Sequence, residues 1–302
     1  MEKLLIKGGT SLKGEISCSG AKNAALPMIA ATILSDEDII LKNLPYLQDI
    51  TTMFELLGSM GAEILLNENM DFTIATNNLK EKEARYELVK TMRASILVLG
   101  PLVAKYGEAK IALPGGCAIG SRPVNYHLDA LEQLGATITL KNGYIEASAK
   151  KLIGSKIKFD GITVTGTENI MMAACLAEGT TKLSNVAKEP EIIDLAEFLN
   201  KMGAKISGAG SDEITIEGVD RLYGTDHRIP ADRIEAGTYL VAAAVTKGEI
   251  KINGINPNRL IKVLDKLNEI GAKVETSEDS ISLIMNKDKP KPVDITTAPF
   301  PE

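Results

Sequence analysis

The sequence predicts an α/β fold built from repeated strand–helix–strand–helix–strand–strand units. Three observations predict it: a helix that ends in Gly-Ala and returns along the chain, a second helix of small residues upstream of each, and short β-rich segments around both. The Gly-Ala pairs stand at Gly61-Ala62, Gly135-Ala136, Gly203-Ala204 and Gly271-Ala272, about 70 residues apart. Each glycine falls where a helix C-cap needs a left-handed residue before the chain turns into a strand.

The upstream helices are expected over Ala24–Leu34, Ser95–Lys105, Ile170–Ala177 and Thr238–Thr246. Their small, apolar residues let them lie close to neighbours, so they read as buried central helices. A strand follows each, at Ile39–Leu41, Lys110–Leu113, Thr181–Leu183 and Glu249–Ile252. Ser280–Met285 and Asn142–Ile145 read as plain strand and turn.

Composition narrows the class. A chain of 302 residues is long enough for roughly two domains. It has 44% hydrophobic and 25% charged residues, as ordinary globular proteins do, and with no Trp its core must be aliphatic. A net charge of −6 argues against a nucleic-acid partner. Cys18, Cys117 and Cys175 are far apart and without CxxC spacing, which fits a reducing compartment with no disulfide framework and no metal site. No apolar signal core opens the chain and no run reaches the length of a membrane span, so a cytoplasmic protein without a membrane partner is expected.

Function is expected in the loop Pro114–Pro123, within a mobile stretch of about 112–124. Three glycines free the backbone there, and the loop carries a thiol, Cys117, and a fixed charge, Arg122. A nearby cation lowers a thiol's pKa, and glycine-rich backbone can close over a ligand. Taken alone, a cysteine in such a place also fits a buried side chain in a surface turn. The second repeat is the longest, and its extra residues fall in this segment.

The starts of the central helices form a further pattern: Ser19-Gly-Ala-Lys22-Asn23, Thr165-Gly-Thr167-Glu168-Asn169 and Asp232-Arg233-Ile-Glu235. Ser19 and Thr167 read as N-caps and Asp232–Glu235 as a capping box. Free N–H groups at such ends suit phosphate, so Lys22 is a candidate clamp, or else a solvated first-turn lysine. His127 and His227, the latter read in a polar turn, show no catalytic or metal-binding order.

These motifs, with Thr91-Met-Arg93-Ala-Ser, Arg122-Pro123-Val124 and Glu189-Pro-Glu191, closely resemble the UDP-N-acetylglucosamine 1-carboxyvinyltransferase (enolpyruvyl-UDP-GlcNAc synthase) family. The resemblance runs over the whole chain. The sister family of the shikimate pathway shares the repeats but not the Pro-Gly-Gly-Cys loop. The resemblance implies an inverted α/β barrel of six repeats in two lobes. Residues 21–231 would be the lobe with the Cys loop, and 1–20 with 232–302 the other lobe, incomplete here.

It also implies that phosphoenolpyruvate and UDP-N-acetylglucosamine are the substrates, with no cofactor, in the first committed step of peptidoglycan synthesis. Cys117 would be the loop acid and the sulfur that fosfomycin targets. Lys22 and Arg122 would hold phosphoenolpyruvate with Arg93 in support, and Asn23 the amino sugar. Arg122, Pro123 and Val124 would frame the uracil, and Thr163 and Val164 would lie near the diphosphate. Glu189, Asp232 and Arg233 would support the cleft. Where some members carry a lysine near the diphosphate, this chain has Gly161-Ile162.

The chain stops after Val293–Pro301, where a fifth repeat begins. The expectation is therefore a C-terminally truncated protein that is inactive by itself and self-associates through its incomplete lobe. The alternatives are a non-catalytic nucleotide-sugar binding remnant, a shikimate-type enolpyruvyl transferase, or an enzyme acting on RNA 3′ ends. The acidic balance disfavours the last.

Overall fold

The computed structural model describes residues 3–113, 124–286 and 290–300. The chain forms two compact units, Lys22–Ile229 and Met1–Ala21 with Pro230–Glu302. In chain order, β1 (Lys13–Ser17) is followed by α1 (Lys22–Ala31), β2 (Ile39–Lys42), α2 (Gln48–Met60), β3 (Glu63–Leu66) and β4 (Phe72–Ala75). Next come β5 (Glu83–Ala84), α3 (Tyr86–Val89), a 3₁₀ turn Arg93–Val98, α4 (Leu99–Tyr106), β6 (Glu108–Ala112), α5 (Asn125–Gln133), β7 (Thr137–Lys141) and β8 (Tyr144–Ser148). The third set is β9 (Lys156–Lys158), α6 (Val164–Ala174), β10 (Thr180–Ser184), α7 (Pro190–Lys201), β11 (Lys205–Ser207) and β12 (Glu213–Glu217). The last is β13 (Asp226–Arg228), α8 (Arg233–Val245), β14 (Glu249–Asn253), α9 (Ile261–Glu269), β15 (Lys273–Thr276) and β16 (Ser280–Ile284).

Each repeat makes a mixed four-stranded sheet in which the first strand runs parallel to the second and the other pairs are antiparallel. The larger unit holds three, ordered β13-β2-β4-β3, β5-β6-β8-β7 and β9-β10-β12-β11. The smaller unit holds one, β1-β14-β16-β15. All four are open sheets, and among the described residues none bonds to another to close a continuous β-barrel. Three neighbouring strands of each sheet run antiparallel, and one parallel strand completes it at the edge.

Two repeats exchange their first strands. β9 pairs with β10 across α6, the connection expected of a βαβ unit. β1, however, precedes α1 but pairs with β14, Lys13 opposite Glu249. β13 precedes α8 but pairs with β2, Asp226 opposite Ile40.

The outer helices end as their sequences require. Gly61, Gly135, Gly203 and Gly271 have φ of 109°, 92°, 101° and 101°, a region costly to residues with a Cβ. Two central helices of the larger unit are buried over most of their length, Ala24–Ala31 of α1 and Gly166–Ala174 of α6. Each fully buried Ile or Met there contributes about 1.5–3 kcal/mol. α8 differs from the expected buried helix. Only Ala236, Leu240, Ala243 and Ala244 are buried, while Ile234, Tyr239, Val241 and Val245 face solvent.

Candidate functional site

α1, the turn Arg93–Val98 and α6 pack on one another within the larger unit. Each begins with residues singled out from the sequence: Lys22 and Asn23, Arg93, and Thr163 with Val164. Lys22 Nζ lies 2.8 Å from Asp49 Oδ2 on the first turn of α2. Both side chains are more than a third exposed, so the pair holds the ammonium in place while adding little stability. Asn23 is exposed. Pro27, inside α1, has no N–H to give the Asn23 carbonyl, which leaves that acceptor free of its usual helical partner.

The cap of α6 is Thr163, whose hydroxyl accepts from the Gly166 N–H at 3.2 Å. Thr167, expected as the cap, lies inside the helix. It donates to the Thr163 carbonyl at 2.7 Å and accepts from the Ala187 N–H at 3.2 Å. Ser19 is no cap of α1 either, since its backbone N–H and hydroxyl both turn to Glu235. That contact diverts Glu235 from its capping box. Asp232 still caps α8, accepting from the N–H groups of Ile234 at 2.7 Å and Glu235 at 3.2 Å. Arg233 sits over the Phe300 ring, 5.4 Å from its centre. Ser19, Asp232, Arg233, Ile234, Glu235 and Phe300 belong to the smaller unit, the other residues named above to the larger.

Sequence reasoning passed over His127. It is 1% exposed on the first turn of α5, its Nδ1 2.9 Å from Asn169 Nδ2 and its Nε2 3.3 Å from Thr165 Oγ1. Burial, and then the positive charge of Arg93, hold its pKa down at about 4, so the ring is neutral at physiological pH. The available signal was spacing: Leu131, one turn on, is fully buried and marks His127 as facing the core. His227 lies on β13, not in a turn. Phe198 packs 5.2 Å away, and burial brings its pKa to about 4.

A buried acidic cluster was also missed. Glu168 on the first turns of α6 is 2% exposed, and burial with Glu191 and Glu189 nearby raises its pKa well above the carboxylate range. Glu168 Oε1 and Glu189 Oε2 are buried without a hydrogen-bond partner among the described residues. A polar triplet, Thr167-Glu168-Asn169, on a helix buried on every side had to be paired or neutral.

Cys117, Arg122 and Pro123 lie outside the described residues. Val124 occupies the N-cap position of α5, its carbonyl accepting from the N–H of His127 at 3.0 Å. Cys175 is fully buried and donates to the Met171 carbonyl at 3.2 Å; burial pushes its pKa up to about 12. Cys18, half-buried, is pushed to about 12 by burial and then by Glu235 and Asp232. Among the described residues, no group of three or more His, Cys, Asp or Glu side chains is arranged to hold a metal, and no helix is long and apolar enough to cross a membrane.

The sequence profile of the family described as EPSP synthase (3-phosphoshikimate 1-carboxyvinyltransferase) matches residues 6–302. The chain is 56% identical over 303 residues to the UDP-N-acetylglucosamine 1-carboxyvinyltransferase of Coxiella burnetii (strain Dugway 5J108-111), covering all of this chain and 70% of that protein. It is 53% identical over 301 residues to the enzyme of the same name from Hydrogenovibrio crunogenus, covering 72% of it. Among solved structures, the enolpyruvyl transferase NikO from Streptomyces tendae superposes with a TM-score of 0.80 at 22% identity, over 91% of this chain and 66% of that one. EPSP synthase from Acinetobacter baumannii gives 0.74 at 19% identity, over 96% of this chain and 68% of its own. These two likenesses establish the fold. The chain thus spans about two thirds of the length of the solved relatives and somewhat more of the curated ones.

Proposed function

Because this chain belongs to the family of UDP-N-acetylglucosamine 1-carboxyvinyltransferases, we propose that its residues serve the transfer of an enolpyruvyl group from phosphoenolpyruvate to the 3-hydroxyl of UDP-N-acetylglucosamine. The observation that carries this reading is 56% identity along the whole chain to relatives of that name. In the reaction, the sugar 3-hydroxyl gives up its proton as its oxygen adds to C2 of phosphoenolpyruvate, while C3 takes up a proton. C3 then gives up a proton as the C2–O bond to phosphate breaks and inorganic phosphate leaves.

Each candidate residue has a role in that scheme. Lys22 and Arg122 hold the phosphate and carboxylate of phosphoenolpyruvate, with Arg93 adding positive charge, because two polyanions must be brought together. The Asp49 carboxylate keeps Lys22 oriented until an anionic ligand competes for the ammonium. Asn23 takes the amino sugar. Thr163 and Val164 offer the first turn of α6 to the diphosphate, at the positive end of the helix dipole. Arg122, Pro123 and Val124 frame the uracil. Cys117 delivers the proton to C3 or assists product release, and is the sulfur that fosfomycin would alkylate. Glu189, Asp232 and Arg233 support the cleft. The product would enter cytoplasmic peptidoglycan synthesis.

The test is release of inorganic phosphate from phosphoenolpyruvate, with UDP-N-acetylglucosamine or shikimate 3-phosphate as acceptor, alongside calorimetric binding of each acceptor. Phosphate release or binding with the nucleotide sugar alone is expected. Where phosphate is released, Lys22→Ala should lower the rate about 10²–10³-fold. Preference for shikimate 3-phosphate, or binding of neither acceptor, would sink the proposal.

A further inference from the structure

The amide of Asn169 has only one possible orientation. Its Oδ1 lies 2.8 Å from the Gly100 nitrogen, an N–H that can only donate. The other end of the amide is therefore the NH₂, and its two hydrogens go to the Ile96 carbonyl at 3.0 Å and to His127 Nδ1 at 2.9 Å. His127 Nδ1 must then carry a lone pair, which puts the ring proton on Nε2, facing Thr165 Oγ1 at 3.3 Å. Placing the proton on Nδ1 would set N–H against N–H in a site 1% exposed. The Arg93 charge beside the ring also disfavours adding a second proton.

The geometry requires Gly100. A Cβ there would stand 2.4 Å from Asn169 Oδ1 and 2.5 Å from its carbonyl oxygen, so only glycine lets α4 approach α6 closely enough for the bond. One buried network thus ties together α4, the turn Arg93–Val98, α5 and the start of α6. Its last member, Thr165, stands next to Thr163 and Val164. Because the Thr165 oxygen accepts from the ring, its own proton remains to be donated elsewhere.

We propose that His127 and Asn169 are positioning residues: a neutral imidazole in one tautomer orients Thr165, and with it the first turn of α6, for the anionic part of the nucleotide sugar. This rests on the function proposed above. Both are buried, so they are assigned to act through Thr165. The network sets where the turn lies and which way one hydroxyl points.

Two measurements on the full chain test it. In a ¹⁵N NMR spectrum of the imidazoles at pH 7, His127 should show a protonated Nε2 and a bare Nδ1. The opposite tautomer, or an imidazolium, would overturn the assignment. Calorimetric titration with UDP-N-acetylglucosamine supplies the second reading. His127→Gln, whose amide can place an N–H near the Nε2 position, should bind within about threefold of the parent. His127→Phe, which fills the space and donates nothing, should bind about five- to tenfold more weakly, the loss expected of one hydrogen bond. Thr165→Val, at a half-buried position that folds more readily, should lose as much as His127→Phe. Unchanged affinity in both while the parent binds would reduce the pair to packing and overturn the inference alone. Failure of the parent to bind would instead sink the function it rests on, whatever tautomer the spectrum reports.

Discussion

Helices α6 and α8 hold the same place in their repeats, between the first and second strands, and both are rich in alanine. α6 is buried from Gly166 to Ala174; α8 buries four residues and exposes Ile234, Tyr239, Val241 and Val245. The difference lies in their neighbours. α6 packs on α1, α4, α5 and α7, which three repeats supply, whereas α8 packs mainly on β14, β16 and α9 of its own repeat. Val241, Val245, Val263, Ile270, Val293 and Ile295 line a groove of about 1000 Å³ beside it. A helix apolar on every face can bury only the faces its neighbours cover.

If that is the cause, truncating an aliphatic side chain to alanine should have unequal effects in the two helices. Ile170→Ala in α6 should cost about 2–5 kcal/mol, the range for emptying a packed core site. Val245→Ala in α8, at 70% exposure, should stay within about 0.5 kcal/mol. Urea unfolding of each variant measures both, and similar losses would break the comparison. Amides in Ile170–Ala177 should likewise exchange more slowly than those in Thr238–Thr246.

The larger unit should also be the acid-sensitive one. His127 titrates near pH 6.5 when unfolded and at about 4 when folded, so only the unfolded state gains a proton in between. Its contribution is complete above pH 6.5 and is lost as pH falls toward 4, by about 3 kcal/mol. Glu168 acts in the opposite sense, because its folded carboxyl stays protonated while the unfolded one ionises above its ordinary value. Glu168→Gln should therefore steepen the loss of stability between pH 6.5 and 4.5, as followed by thermal unfolding. An unchanged slope would refute the assignment.

Glycines sharpen the contrast. Gly100→Ala in α4 should cost about 1–3 kcal/mol through overpacking on Asn169, although alanine is the better helix former. Gly237→Ala in α8 meets nothing closer than Leu260 Cδ2 at 3.6 Å and should be neutral or stabilise by about 0.4–1 kcal/mol. Melting temperatures of the two variants decide it. The smallest effect is expected of Asp49→Asn, since the half-exposed pair with Lys22 is worth about 1 kcal/mol or less. Any larger change should appear in affinity for phosphoenolpyruvate, not in melting.

Much of the fold was legible because its signals are local. A glycine before a strand, after an amphipathic helix, reports a left-handed cap within a few residues, and Gly61, Gly135, Gly203 and Gly271 all adopt it. Small residues marked α1, α4 and α6 as central. The caps were less legible: Thr163 and Thr167 have the same chemistry, and a shift of one turn decided which of them starts α6. His127 escaped notice because its partners, Asn169 and Thr165, lie on another helix about forty residues away.

By itself the sequence determined the period of the repeat, the ends of its outer helices, and the polar and charged residues that open its central helices. These depend on backbone preferences and side-chain patterns over a few turns. Tertiary structure alone decided that β1 joins β14 while β13 joins β2, since strands so short carry no mark of which distant edge they will complete. It also decided how much of α8 stays exposed, which proton His127 keeps and that Glu168 remains neutral. Burial and protonation are set by whatever surrounds a group, and here the surroundings come from segments far apart in the chain.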